Sequence, residues 1–140
     1  MKIAAIILSL ALLAMPAWAV DDYAAFELPA EDVVTSSDYT DCLDASGGVH
    51  PTMMDCIGAE YGRLDLKLAD AYAEALERVS HPDALKQEQA GWLEMRAEIC
   101  EAASAEAGGG QASDLVFADC ELGELIRRTR WLDQLQPWPR

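Results

Sequence analysis

The chain has 140 residues, a formal net charge of −15, four cysteines and two histidines. Such an acidic balance excludes partners that present a phosphate backbone or an anionic membrane surface, because both would be repelled. It admits a basic protein as partner, although keeping an exported chain soluble is the simpler use of the same charge.

The first 19 residues have the form of a secretory signal peptide. Lys2 is followed by an uncharged Leu/Ile/Ala-rich run and then by Ala17-Trp18-Ala19, a small-residue cleavage pattern. The competing form is an uncleaved anchor, for which the run from Ile3 to Val20 is barely long enough; Pro16 and the A-x-A end favour cleavage after Ala19. No cysteine stands at that point to carry a lipid, so the mature protein is expected to be periplasmic or secreted and free of the membrane. Cleavage leaves about 121 residues, enough for one modest core and no second domain. It also removes Lys2, after which no Lys or Arg occurs before Arg63, while ten Asp and Glu do.

Residues 20–41 are acidic and without sustained periodicity. They are expected to form a mostly disordered arm, with room for a short strand around Asp32 to Thr35. A first long helix is expected from Thr52 as N-cap, because Ile57, Tyr61, Leu64, Leu68, Tyr72, Leu76 and Val79 recur at steps of three and four. Ser80-His81-Pro82-Asp83 ends it and opens the next helix, since proline fits a first helical turn. That second helix should turn Leu85, Gln89, Trp92, Met95, Arg96, Ile99, Cys100 and Ala103 inward, and Gly108 to Gly110 should stop it. A third runs from about Ala112 to Leu135, with Leu115, Leu122, Leu125, Ile126, Thr129, Leu132 and Leu135 inward. Residues 137–140, which hold Pro137, Trp138 and Pro139, form a short tail. No segment alternates as a strand does, so the expected fold for residues 42–136 is all-α: a small antiparallel three-helix bundle stapled by two disulfides.

Four cysteines in an exported chain allow three disulfide connectivities. Cys100 ends one expected helix and Cys120 lies early in the next, while Cys42 precedes the helix that holds Cys56; this layout favours Cys42 with Cys56 and Cys100 with Cys120. A zinc site is disfavoured, because there is no C-x-x-C pair and His50 and His81 stand far apart. Neither metal nor cofactor is expected.

The stretch QAGWLEMRAEIC, residues 89 to 100, puts Gln89, Trp92, Arg96 and Cys100 on one helical face. That combination reads either as a binding or catalytic site or as a core with polar pins. No catalytic motif accompanies it, and cysteines held in disulfides are not nucleophiles. If Cys100 and Cys120 are level, Arg96 and Glu124 each lie four residues, about 6 Å, from that bridge and can pair. Asp65, about 13.5 Å along its helix from Cys56, and Arg128, about 12 Å along its own from Cys120, are level by the same ruler. The pin is therefore the preferred reading of Arg96, with Trp92 as packing.

These residues also carry a resemblance. Cys56, Asp65, Leu68, Tyr72, Gln89, Trp92, Arg96, Cys100, Gly108 with Gly109, Cys120, Arg128 and Leu132 follow the pattern of the LprI-type lysozyme inhibitor family, small exported helical proteins with four cysteines. Departures from that pattern are Ala69, Met95, Ala97 and Leu125. The resemblance implies a non-enzymatic protein that inhibits a lysozyme-type muramidase by occluding it. The alternative is an envelope protein of the same fold with another partner or a structural role. Because the matching positions are ones expected in the core and the disulfides, the resemblance carries the fold over and leaves the partner-binding residues unassigned.

Overall fold

A computed structural model of the chain describes residues 34–135. The expected signal peptide, residues 20–33 of the expected arm, the first part of the expected short strand and the tail lie outside the described residues. Within them are four helices: α1 (Ser37–Ala45), α2 (His50–Arg78), α3 (Pro82–Glu106) and α4 (Gly110–Gln134). The three-helix expectation is thus corrected by one helix. Residues 37–41, read as arm, belong to α1, and the missed start signal is local. Ser36 is the N-cap, its hydroxyl accepting from the Tyr39 N–H, and Asp38 sits in the first turn, where a negative charge suits the helix dipole. Tyr39, Cys42 and Leu43 then give a nine-residue helix one apolar side, too short a period to stand out in a sequence.

The N-terminus of α2 also differs from expectation. Val49 is its cap and Pro51 lies in the first turn, so Thr52 is already inside the helix and caps nothing. Beyond it, Ile57, Leu64, Leu68, Ala71 and Ala75 form one buried stripe. Pro82 opens α3, and Gly108, Gly109 and Gly110, all at positive φ, turn the chain from α3 into α4.

Order along the chain is not order in space. α2 packs mainly on α4 and scarcely meets α3, its neighbour in sequence, while α3 rests on α4. α2 and α4 run in the same direction: His50 of α2 meets Asp114 of α4 at one end, and Arg78 donates to the Leu132 carbonyl at the other. α4 is therefore the central helix, with Leu122, Leu125 and Leu132 at most 1% exposed. Because α3 has one neighbour in place of two, its buried band is narrow and holds Leu85, Trp92 and Cys100. Met95 and Ile99, expected inside, lie on its uncovered flank and are 53% and 44% exposed.

Two disulfides join the helices at one end of the bundle, Cys42 to Cys56 and Cys100 to Cys120. No described helix is long and apolar enough to cross a membrane.

Candidate functional site

Two places hold residues of functional interest. The first is the cross-link between α3 and α4. Arg128, 5% exposed although charged, donates from Nη1 and Nη2 to both carboxylate oxygens of Glu88, at 2.8 and 3.0 Å, and from Nε to the Gln89 side-chain oxygen at 2.8 Å. Its guanidinium lies 4.1 Å from the centre of the Trp131 ring and 5.3 Å from that of Trp92. Arg96 lies 5.1 Å from the same Trp92 ring and forms an ion pair with Glu121 at 3.3 Å. Gln89, Trp92, Arg96 and Arg128 are thus one assembly, in which two cations lie against the same aromatic ring and each has its own carboxylate.

Both expected ion pairs are corrected. Arg96 pairs with Glu121, not Glu124, because Glu121 is on the side of α4 that faces α3, whereas Glu124 is taken by Arg127 one turn along. Glu121 is only one residue beyond the Cys120 bridge, and the long arginine side chain spans the difference in height. Asp65 is exposed on α2 and does not meet Arg128, which points from α4 toward α3. Counting levels gave heights along the helices but not the sides from which the groups point. Leu68 and Leu132 are buried, and Tyr72 is half-buried against the core. Apart from Asp65 and the turn glycines Gly108 and Gly109, then, the residues of the resemblance are packed inside or half inside.

The second place is the end of the bundle that holds the disulfides. α1 and α4 both lean toward α2 without their backbones meeting, and a groove of about 440 Å³ remains between them. Met53 and Ile57 of α2 are joined by Tyr39 and Leu43 from α1 and by Leu115, Val116 and Cys120 from α4. Asp119 is its one charged lining residue. Val116 at the groove and the neighbouring Phe117 are 37% and 38% exposed, and Val49, on the loop before α2, is 54% exposed. Burial, followed by the nearby Asp119 and Glu60 carboxylates, pushes the Tyr39 hydroxyl above its ordinary range.

Glu60 fixes one wall of this groove. Its carboxylate accepts from the Ser36 N–H at 2.9 Å and from the Ser36 hydroxyl at 2.7 Å, and Arg63 donates to both of its oxygens. The Arg63 bonds, opposed by burial and supported by Ser36, hold the Glu60 carboxyl at about 2. α1 is therefore tied to α2 twice, by Glu60 at its start and by Cys42–Cys56 further on.

Charge divides along the bundle. Among the described residues, no Lys or Arg occurs from 34 to 62 or from 97 to 126, the segments that build the disulfide end. Asp38, Asp41, Asp44, Asp55, Glu98, Glu101, Asp114 and Asp119 are exposed there. The described Lys and Arg lie in the remaining segments, most of them paired with a carboxylate. The acidic residues of the first of these segments were legible as a run, but the second run and the groove between the two were missed. The free stretch from Ala97 to Ile126 was the available signal.

Fold and site together define a small helical protein stapled by two disulfides, with a buried cation–aromatic cross-link and one acidic, partly apolar end. The model of the family described as Lysozyme inhibitor LprI matches residues 42–132, and the chain belongs to that family. Comparison with curated proteins and with solved structures finds no significant match. The disulfides and the family both fit a protein that works outside the cytoplasm.

Proposed function

We propose that this protein is an exported inhibitor that binds a basic lysozyme-type muramidase and occludes its cleft, with no chemistry of its own. The family supports the class of target. The observation that carries the reading is the disulfide end of the bundle, where residues 34–62 and 97–126 present exposed carboxylates and hold no Lys or Arg, and where the adjoining Arg63 and Arg96 are each engaged by a carboxylate. A field of one sign steers an oppositely charged partner and speeds encounter, and it orients the complex so that this end arrives first.

On this reading Gln89, Trp92, Arg96 and Arg128 hold α3 on α4 and do not touch the target, in keeping with their burial. The same burial favours the second reading, an envelope protein of this fold with a different basic partner, because the family pattern is met mainly by residues inside the fold.

Cell-wall lysis by chicken-type and bacterial-type lysozymes, measured with the purified mature protein across a salt series, separates the two. Inhibition that weakens as salt rises through the range where the Debye length falls below about 10 Å supports the first reading. Absence of inhibition at low salt and molar excess removes it.

A further inference from the structure

We infer that the groove between α1, α2 and α4 is the seat of the interface and that it takes an apolar side chain presented by a basic partner within a ring of Lys or Arg. This rests on the inhibitory reading for the identity of the target, but the chemistry of the seat follows from the groove itself.

Three observations converge there. The lining is apolar apart from Asp119, so the interior of the groove favours a side chain without charge. Its surroundings have the opposite character, with Asp38, Asp41 and Asp44 on α1 and Asp114 and Asp119 on α4 all exposed and no Lys or Arg in either segment; the nearby cation is Arg63 of α2, which feels Asp38 but is held by the Glu60 carboxylate. An apolar hollow inside an acidic rim is the complement of an apolar knob inside a basic rim. A volume of about 440 Å³ accommodates one or two large side chains, which is the scale of the anchor that dominates many protein interfaces.

The walls are also held in place. Glu60 and the Cys42–Cys56 bridge fix α1 at two points, and the Cys100–Cys120 bridge fixes the α4 wall, so little ordering remains to be done on binding. Solubility alone accounts for the carboxylates. It does not account for Val49, Val116 and Phe117 standing exposed among them.

The test uses the full mature chain with both disulfides formed. Val116→Glu places a charge in the seat while adding to the acidic field; Leu66→Glu adds the same charge on the outer face of α2, at a residue that is 70% exposed and about 13 Å along the helix from Ile57. Against chicken-type lysozyme at fixed low salt, Val116→Glu is expected to weaken binding at least tenfold, and Leu66→Glu to leave it within twofold. Equal binding by the two variants overturns the seat, while the inhibitory reading stands if wild type still inhibits.

A second arm does not depend on lysozyme. A Lys-rich peptide with one central Phe, and the same peptide with Ala in that place, are titrated into isotopically labelled protein. Phe-dependent amide shifts at Tyr39, Leu43, Ile57 and Val116 support the seat even if no lysozyme is bound. Shifts spread over the acidic residues, and alike for both peptides, overturn it. Circular dichroism at each step separates loss of binding from loss of fold.

Discussion

Replacing Arg128 by Ala tests whether the cross-link between α3 and α4 holds the bundle together. The side chain is 5% exposed, and its removal deletes three charge-assisted hydrogen bonds and a stack on Trp131. Breaking a buried ion pair commonly costs about 3–5 kcal/mol, largely because the remaining charge is stranded. Glu88 is not stranded, since its side chain is 39% exposed and water can take over its oxygens. The lower limit therefore applies, about 3 kcal/mol, which already includes the cation–π contact of roughly 1 kcal/mol. Arg128→Lys keeps the charge and most of the stem but loses the fork that reaches Glu88 and Gln89 together, and should cost about half as much. Urea unfolding with the disulfides intact is the assay; with a slope of about 1.5 kcal/mol per molar, the Ala variant should unfold at a urea concentration lower by about 2 M. A double-mutant cycle with Glu88→Ala should give a coupling above about 1 kcal/mol. If both Arg128 variants unfold within about 0.5 kcal/mol of wild type, the cross-link does not support the fold and the assembly around Trp92 needs another role.

Other perturbations address separate parts of the structure. The Glu60 carboxyl sits at about 2 in the folded chain against an ordinary 4.5, so its contribution is complete above about pH 4.5 and disappears as pH falls toward 2. The full depression corresponds to about 3 kcal/mol, which water at the partly exposed Arg63 reduces to about 2; Glu60→Gln should flatten that part of the stability-against-pH curve measured by denaturant unfolding. Glu121→Ala should cost about 2–3 kcal/mol by unpairing the mostly buried Arg96, whereas Arg127→Ala, whose side chain is 45% exposed, should cost under about 1 kcal/mol. The reverse order, read by thermal melts, would show that the Arg96–Glu121 pair does not support the fold. Replacing Cys100 and Cys120 together by Ser opens a 20-residue loop and should lower stability by about 3 kcal/mol by the chain-entropy account. Leu125→Ala, at a position with no exposure at all, should cost about 2–5 kcal/mol in the same unfolding assay.

Much of this molecule is local and therefore legible in the order of its residues. The stripe from Ile57 through Leu64 to Leu68 and the steps of Leu122, Leu125 and Leu132 specify long helices whatever they pack against, because periodicity is a property of a single segment. Pro82 and the three glycines set the turns for the same reason, and the placement of one cysteine on either side of a turn, twice, suffices to favour one connectivity of three. α1 was hidden because nine residues offer too few repeats to stand out in an acidic segment, and its order depends on a distant group, Glu60, as well as on its own cap.

The choice of neighbours belongs to the tertiary structure. Nothing local states that α4 comes between α2 and α3, so nothing local could say that Met95 and Ile99 would be uncovered, that Glu88 and not Asp65 would receive Arg128, or that Glu121 would take Arg96. Helical spacing gives the height of a side chain on its own axis, whereas pairing also needs the rotation of that axis relative to its partner, which is set by how all the apolar stripes are buried at once. The acidic character of residues 20–62 was visible from composition; its junction with a second basic-free stretch around an apolar groove exists only because α1 and α4 close on the same end of α2. Sequence order thus determined which helices form and where they stop, and three-dimensional packing decided which faces remained outside to meet a partner.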